Sequence, residues 1–427
     1  MAGEFELIQL GEVASVRSGF AFKSSDWTDS GVPVVKISNV KDGRLEMDGC
    51  SFVSQGTSDN APDARLRVGD ILIAMTGYIG DVALVRDHNL PVLLNQRVGR
   101  FDVRDQKRLD GRFLFYVLRN PAVRQEIEGL GYGSAQPNVS PTLIHGVKVP
   151  LPPLHEQRAI AHILGTLDDR IEANRRMAAT LEEMARALFR AWFVTFEPVR
   201  AKAEGRWRPG QTLPGLPASL FDAFPARLDD DGKPEGWKRE QLGAHVLNFD
   251  AKRVPVSGGE RAKRKGPFPY HGATGVMDCI DDYLFDGVYL LVGEDGSVAK
   301  ENGLAFTQYV WGKIWVNNHA HVLQGKGSVC TEHLLLYFQH EVVTPYITGA
   351  VQQKLSQGRM NAMPFMYPGP NLCKAFSNLM VPLFARYRAN VDESRILAAT
   401  CDLLLPKLVS GAIRVKDAEA FLKARGL

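Results

Sequence analysis

Residue patterns typical of active sites are missing from this sequence. Its only adjacent prolines, Pro152 and Pro153, are followed by Leu154, so the Asp/Asn-Pro-Pro-aromatic motif of adenine methyltransferases is not there. The sequence also contains neither the G-x-x-x-x-G-K-[ST] phosphate loop nor the H-E-x-x-H zinc helix. These absences predict a chain that binds other molecules and has no catalytic site of its own.

Histidines are the remaining candidates for metal chemistry. His319 and His321 flank Ala320, and strand alternation would place both on one face. A metal pair is conceivable, but no third ligand is near in sequence, so a polar strand end is favoured. His155 and His162 lie beside a helical pattern and are interpreted as structural. No metal site and no cofactor are predicted in this chain.

The clearest basic stretch is Ala251–Gly266, in which Glu260 is the single acid. Flanking glycines and prolines predict a loop. A loop of this charge either contacts nucleic-acid phosphates or is simply solvated. Its basic residues, taken as candidate phosphate contacts, are Lys252, Arg253, Arg261, Lys263, Arg264 and Lys265.

Candidate contacts in the first half are scattered. Asn95-Gln96-Arg97 offers groups of the kinds that pair with adenine and guanine edges, although a buried polar turn explains the triplet equally well. Tyr78 lies in Gly77-Tyr-Ile-Gly80, whose glycines predict a tight turn between strands or, alternatively, a turn that contacts phosphate. The basic candidates here are Lys23, Lys36 and Arg44, with Arg17, Lys41, Arg65, Arg67 and Arg97 also present.

The sequence is a two-fold repeat of a long segment. One copy begins at Leu10-Gly11 and the other at Leu242-Gly243. In the same order along each copy, Gly77–Gly80 matches Gly293–Gly296, Asn95-Gln96 resembles Asn317-Asn318, and Phe113–Tyr116 resembles Leu334–Tyr337. Short apolar or β-branched runs bounded by glycine predict strands, and Gly111–Arg119 and Thr331–Gln339 predict short helices.

Each copy ends in a heptad pattern that predicts a long helix, and the two helices are expected to pair antiparallel. Pro382 and Pro406 fall in the second pattern, so that helix is expected to begin after, or kink at, Pro382 and to stop near Pro406. Asn174 and Asn390 should face each other near the centre, unless they face solvent. The predicted pairing residues are Ile160, Leu164, Leu167, Ile171, Asn174, Leu181 and Leu188 in the first helix, and Leu383, Tyr387, Asn390, Leu397 and Leu404 in the second.

Composition completes this outline. The chain has 427 residues, a net charge of +3 and five scattered cysteines, without an apolar run long enough to span a membrane, which predicts a cytoplasmic globular protein. Six prolines and an acidic cluster in 197–236 predict an extended connector. The expected domains are a recognition domain at 1–153, a helix at 154–196, that connector, a second recognition domain at 237–371, and a helix with a tail at 372–427.

One segment is specific enough to indicate a family. Val149–Arg158, which reads Val-Pro-Leu-Pro-Pro-Leu-His-Glu-Gln-Arg, runs directly into Ala159–Asn174. This junction resembles the boundary between a target-recognition domain and a long helix in type I restriction–modification specificity subunits. Gly133–Asn138 and the carboxyl-terminal segments Asn390–Ser394, Leu403–Leu408 and Ser410–Val415 resemble the same family.

The second copy departs from this pattern. Met363–Leu372 stands where the proline motif would recur. The interval from Leu242 to Asn390 is also shorter than the equivalent interval from Leu10 to Asn174, so the second copy lacks part of the length of the first. The shortening is either natural divergence or a deletion near Asn361–Pro370 that impairs docking of the second domain.

The resemblance implies an α+β fold with two target-recognition domains, a pseudo-two-fold repeat and two spacer helices. It also implies a non-catalytic subunit that reads a bipartite site on double-stranded DNA. Its expected partners are two methyltransferase subunits and motor–nuclease subunits, which would carry S-adenosylmethionine, ATP and Mg. The alternatives are a stand-alone bipartite DNA-binding regulator and a fused methyltransferase, and the missing catalytic motifs argue against the latter.

Overall fold

A computed structural model describes residues 5–131, 138–349 and 352–427. The chain divides into two compact units. Unit 1 comprises Met1–Ala173 and Ser394–Leu427, and unit 2 comprises Asn174–Glu393. Most of the Gly133–Asn138 motif lies outside the described residues.

Unit 1 is built around an antiparallel sheet with strand order β2-β11-β8-β9. A second sheet has the order β10-β4-β7-β3, and the pairs β1-β12 and β5-β6 complete the strands. The strands are β1 (Leu7–Gln9), β2 (Ala14–Ser18), β3 (Trp27–Thr28), β4 (Val32–Val35), β5 (Val40–Lys41), β6 (Arg44–Leu45), β7 (Ser51–Val53), β8 (Ile71–Ala74), β9 (Val82–Leu84), β10 (Leu93–Leu94), β11 (Val98–Val103) and β12 (Lys148–Pro150). The helices are α1 (Gln55–Asp59), α2 (Gly111–Arg119), α3 (Pro121–Gly129), α4 (Pro141–His145) and α5 (Leu154–Phe189), of which α5 ends in unit 2.

Strand β8 shows why the main sheet of unit 1 is central. Successive side chains of a strand point to opposite faces, and all four residues of β8 are apolar and buried. Ile71 and Ile73 belong to the largest core cluster of the unit, whereas Leu72 and Ala74 belong to a second cluster. The sheet therefore has a core on each face, and the loops at its ends are anchored by a rigid layer.

Unit 2 is built around a single six-stranded sheet of order β14-β19-β17-β18-β15-β16, with β13 and β20 as a separate pair. Its elements are α6 (Glu197–Ala203), β13 (Lys238–Gln241), β14 (Val246–Asn248), α7 (Gly258–Lys263), β15 (Phe268–His271), β16 (Val276–Ile280), β17 (Phe285–Gly293), β18 (Thr307–Val316), β19 (Ala320–Gly325), α8 (Thr331–Phe338), α9 (Gln357–Asn361) and β20 (Pro364–Tyr367). Helix α10 (Pro370–Val409) begins in unit 2 and ends in unit 1, and α11 (Val415–Ala424) follows it. Among the described residues, no helix combines the length and the apolar character that a membrane span requires.

The two long helices pair antiparallel. In unit 2, the amide of Asn174 donates to Oε2 of Glu393 at 2.9 Å, and the rings of Phe189 and Phe376 are 6.4 Å apart. Residues later in α5 thus contact residues earlier in α10, as an antiparallel pair requires. In unit 1, Glu156 at the start of α5 pairs with Arg414, just beyond the end of α10.

Most predicted pairing residues lie in the cores. Asn174 and Asn390 are both buried, so the solvent-facing alternative is wrong. The partner of Asn174 identified above, Glu393, lies close to Asn390 on the same helix. Ile160, Leu164, Leu167, Ile171, Leu397 and Leu404 belong to the core of unit 1, Leu188, Leu383 and Tyr387 pack against that of unit 2, and Leu181 is half-buried.

The sequence predictions for helix α10 and for the connector are each partly wrong. Helix α10 does not begin after Pro382, because its buried residues Phe376 and Met380 precede that proline, but its end at Val409 confirms that it stops near Pro406. The segment 197–236 is not simply an extended connector. It contains α6 and buries Val199, Trp207 and Phe224 in the unit 2 core, which compensates for its prolines.

The shorter second copy retains its docking strand. Strand β20 pairs with β13 as β12 pairs with β1, and Leu242 donates to the Met363 carbonyl as Leu10 donates to that of Val147. The interval from Met363 to Asn390 equals the interval from Val147 to Asn174. The shortening therefore lies within the globular part, and the suggested deletion near Asn361–Pro370 is wrong.

Helix α10 allows a direct test of its internal proline. Pro382 is exposed and has no backbone N–H to donate to the preceding turn. We expect Pro382→Ala to stabilise the protein by roughly 1–3 kcal/mol, since proline in a helix interior costs about 3 kcal/mol relative to alanine. Thermal unfolding measures the change. Val381→Ala, at the exposed neighbouring position, should alter stability by no more than about 0.5 kcal/mol; equal effects of the two substitutions would contradict the prediction.

Candidate nucleic-acid interface

Three connections of unit 1 meet at one edge of its main sheet. The N–H of Met75 donates to the Arg97 carbonyl at 3.3 Å, and the N–H of Gln96 donates to the Phe20 carbonyl at 2.9 Å. We call residues 18–23, 75–81 and 95–97 the unit 1 loop cluster. Tyr78, Gln96 and Arg97 are exposed there, with Tyr78 56% exposed. The cluster also exposes Phe20, so it presents two aromatic groups, one amide and one guanidinium group from a rigid layer.

Polar side chains inside the cluster fix its turns. Oδ1 of Asn95 accepts the N–H of Arg97 at 3.3 Å, so Asn95 supports the turn that presents its neighbours. The hydroxyl of Thr76 donates to Oδ1 of Asn138 at 2.8 Å. Gly77 and Gly80 have φ of 74° and 86°, which a glycine adopts without strain. The predicted tight turn between strands is thus confirmed, while phosphate contact by this turn stays a prediction.

The basic candidates of unit 1 differ in their surroundings. Lys36 donates to the Ser51 hydroxyl at 2.7 Å and lies over the ring of Trp27. Lys23 is exposed in the loop cluster. Arg44 lies outside the cluster and pairs with Glu46 at 2.9 Å. Hydrogen bonds from Arg44 and then Lys41 hold the pKa of Glu46 below its usual value. Lys23 is thus better placed than Arg44 to act together with the cluster.

Strand register shows which residues of unit 2 are equivalent. Ile73 pairs with Gly99 in unit 1, and Val292 pairs with His321 in unit 2. Asn95-Gln96-Arg97 therefore corresponds to Asn317-Asn318-His319, as the sequence repeat indicated. The glycine match, however, is wrong. Gly77 corresponds to Gly296 rather than to Gly293. Gly77 and Gly296 both have φ of 74°, so the turn conformation recurs in the second copy but the spacing of the glycines does not.

The unit 2 loop cluster comprises residues 272–277, 294–299 and 317–319. The N–H of Glu294 donates to the His319 carbonyl at 2.9 Å, as Met75 does to Arg97 in unit 1. Asn318 and His319 are exposed, and His319 also pairs with Asp295. Met277, which is 58% exposed, contacts the buried Asn317 through its sulfur at 3.6 Å. Two of the three connections, at 294–299 and 317–319, thus recur from unit 1 and carry different side chains in unit 2, whereas residues 272–277 follow His271, the equivalent of Val35.

The predicted basic loop is more ordered and more neutralised than its sequence indicated. Ser257 caps α7 by accepting the N–H of Glu260, so part of the stretch is helical. Arg264 pairs with Asp281 and Lys265 with Asp278. Sequence analysis missed these acids because they lie on or beside the neighbouring strand β16. Of the other candidates in this stretch, Lys252 and Lys263 are exposed, whereas Arg261 also pairs with Asp278.

Arg253 lies beneath the unit 2 loop cluster, with a side chain only 11% exposed. Its Nη1 lies 2.7 Å from Oε2 of Glu294 and 2.7 Å from the Ala320 carbonyl. It also pairs with Asp250 at 3.5 Å. This guanidinium therefore joins two loops of the cluster from below, a positioning role that its sequence neighbourhood did not reveal.

Asp250, Glu294 and His321 complete the ionic group around Arg253. Each presents one ligand-type atom within 4.8 Å of the others, which is close enough for a metal ion. However, Nδ1 of His321 already pairs with Asp250 at 2.6 Å, its Nε2 contacts the Leu355 carbonyl, and Glu294 pairs with Lys354. Burial favours a raised pKa for Asp250, but the hydrogen bonds from His321, Val322 and Asn248 and the electrostatic attraction of His321 together outweigh it, and the pKa is lowered. We therefore interpret the group as an ion-pair network.

Truncating Arg253 tests this positioning role. Arg253→Ala leaves two largely buried carboxylates, Asp250 and Glu294, short of a cation, and we expect a loss of roughly 3–5 kcal/mol of stability in unit 2. Chemical unfolding followed by hydrogen exchange of the loops measures it. Lys263→Ala removes an exposed cation from the same stretch and should change stability by less than about 0.5 kcal/mol. Equal stabilities for the two variants would rule out the network as a support of the loops.

Residues 3–183 match the family model for the type I restriction modification DNA specificity domain. The type I restriction enzyme MjaVIII specificity subunit of Methanocaldococcus jannaschii is 34% identical over 184 residues, which cover 42% of this chain and 43% of that protein. The MjaIX specificity subunit of the same organism is 24% identical over 86% of this chain and 84% of its own length.

A solved structure is similar over nearly the whole chain. The type I restriction–modification S subunit from M. genitalium has a TM-score of 0.59 at 16% identity, covering 95% of this chain and 96% of that one. The shared class is thus an α+β protein of two sheet-containing units with a long helix pair. Residues 3–183 therefore match the DNA specificity domain of type I restriction–modification systems, and the chain as a whole is similar to type I specificity subunits.

Proposed function

We propose that this chain is the DNA-reading subunit of a type I restriction–modification complex, in which each loop cluster reads one half of a bipartite site. The observation that carries the proposal is the recurrence of one loop arrangement with different exposed side chains. Gln96 and Arg97 in unit 1 correspond to Asn318 and His319 in unit 2. Amide and guanidinium groups can read base edges in the major groove, so different groups on equivalent loops would read different half-sites.

The catalytic steps would belong to partner subunits. We expect two methyltransferase subunits that use S-adenosylmethionine for adenine methylation, and motor–nuclease subunits that use ATP and Mg. This chain would contribute no catalytic residue, no metal site and no cofactor of its own, and the complex would work in the cytoplasm. Similarity to proteins named as specificity subunits favours this assembly over a stand-alone bipartite regulator.

Methylome sequencing of the host tests this function and assigns the two units. Deleting the gene should abolish one split, adenine-methylated motif. A chain carrying both Gln96→Ala and Arg97→Ala should relax or weaken recognition of one half of that motif, by about tenfold or more for each hydrogen-bonded base that is no longer read. Asn318→Ala with His319→Ala should affect the other half only.

The controls separate reading from folding. Val342→Ala, at an exposed site outside both clusters, should leave the motif unchanged. The purified chain should neither methylate nor cleave DNA until the partner subunits are added. An intact methylome after gene deletion, or activity of the chain alone, would contradict the proposed function. If both pairs of substitutions altered the same half-site, the assignment of one unit to each half would be wrong.

Salt dependence tests phosphate contact by the basic stretch. Replacing Lys263, Arg264 and Lys265 with alanine should weaken binding to all duplexes and lower the log–log salt slope by about one for each phosphate that is no longer neutralised. We expect Lys263→Ala to account for most of the change, since Arg264 and Lys265 already pair with aspartates. Binding titrations at several salt concentrations measure the slope, and an unchanged slope would mean that this stretch is only solvated.

A further inference from the structure

Two exposed apolar side chains lie in the unit 2 loop cluster, next to the polar groups proposed to read bases. Val276 is 57% exposed and Met277 is 58% exposed. Single exposed apolar residues are usual on protein surfaces, so their exposure alone assigns no role. Met277 differs because its surroundings hold its side chain beside the turn that presents Asn318 and His319.

A β-bulge sets the direction of Met277. In the ladder between β15 and β16, Tyr270 pairs with Asp278, and the next pair joins His271 to Val276. Met277 is therefore the extra residue between the two pairs. An extra residue of this kind bends its strand and redirects a side chain, and such bulges are frequent at sheet edges and next to active sites.

Close contacts fix the position of the Met277 side chain. Its Sδ lies 3.6 Å from Nδ2 of the buried Asn317, whose Oδ1 accepts the N–H of His319 at 2.8 Å. A Cβ atom at Gly272 would lie only 2.4 Å from the same sulfur, so the thioether packs against the Gly272 backbone. Nε2 of Gln308 holds that backbone by donating to the Gly272 carbonyl at 2.8 Å. The sulfur is thus held against the cluster while more than half of the residue stays open to solvent.

We propose that Met277 contacts the C5 methyl group of a thymine in the half-site that unit 2 reads. The inference rests on the proposed function and deepens it, since it names one chemical feature of that half-site. In the major groove, thymine presents this methyl group to apolar side chains. The flexible, polarisable thioether would complement hydrogen bonds from Asn318 and His319. The acid that follows Met277, Asp278, pairs with Lys265 at 2.5 Å, so its charge is compensated where DNA would approach.

Duplexes that carry uracil in place of thymine test the proposal, because the two bases differ only in the C5 methyl group. The half-site of unit 2 is the one that the Asn318 and His319 substitutions alter. Each of its thymines is replaced in turn, and binding of the full chain to every duplex is measured. We expect one replacement to weaken binding about fourfold, which is the effect of losing one buried methyl group.

Variants of Met277 show whether this side chain senses the methyl group. The readout is the ratio of the dissociation constants for the uracil and thymine duplexes, which cancels any general loss of affinity. Met277→Leu should keep the ratio at about four, whereas Met277→Gln, of similar length but polar, should lower it to about one. Met177→Gln makes the same change at an exposed methionine of the same unit and should leave the ratio unchanged.

Failure of this inference is distinguishable from failure of the proposed function. A chain that prefers no duplex over another would refute DNA reading itself, and the inference with it. Specific binding that no uracil replacement in the unit 2 half-site weakens would overturn the inference alone, as would a ratio that Met277→Gln leaves at about four. The other source of a C5 methyl group is 5-methylcytosine, and a preference for that base over cytosine with none for thymine over uracil would also overturn the assignment to thymine.

Discussion

The fold depends on burial of the long-helix faces in the apolar cores of both units. In unit 1, Leu164 and Ile171 of α5 share a core with Ile71 and Ile73 of β8, and Leu404 of α10 belongs to the same core. In unit 2, the end of α5 and the start of α10 contribute in the same way. Short helices cover the sheets as well, with α4 against β2 in unit 1 and α8 against β17 and β19 in unit 2. Each long helix therefore has a part in folding both units, together with these short helices.

A rigid core allows the loops to vary. The positions that set the turns are occupied by residues suited to backbone geometry, such as Gly77 and Gly296 at the positive-φ position, or Asn95 and Asn317 at the following turn. The positions beside them hold unrelated side chains. This separation between turn-forming and outward-facing residues is what a binding scaffold needs if its target is to change without loss of the fold.

Much of the fold was predictable because its signals are local. The heptad patterns indicated both helices and the burial of Asn174 and Asn390, and the repeat indicated the equivalence of Asn95 and Asn317. The predicted start of α10 after Pro382 was wrong because packing of the opposite face of the helix outweighs the cost of a proline in the helix interior at this exposed position.

The site was harder to predict because its decisive partners are distant in sequence. Asp278 and Asp281 neutralise residues of the basic stretch from a neighbouring part of the sheet, and Glu294 reaches Arg253 from a different strand.

The ionic group under the unit 2 loops has a consequence for the exchange of recognition segments between related chains. In unit 1, Met75 and Gly99 occupy the positions of Glu294 and His321, so its loops need no buried charge at these positions. A unit 2 loop transplanted without Asp250 and Arg253 would bring an acid into a pocket that lacks its cation. Recombination within unit 2 is therefore expected to carry a segment from Asp250 to beyond His321 as one piece.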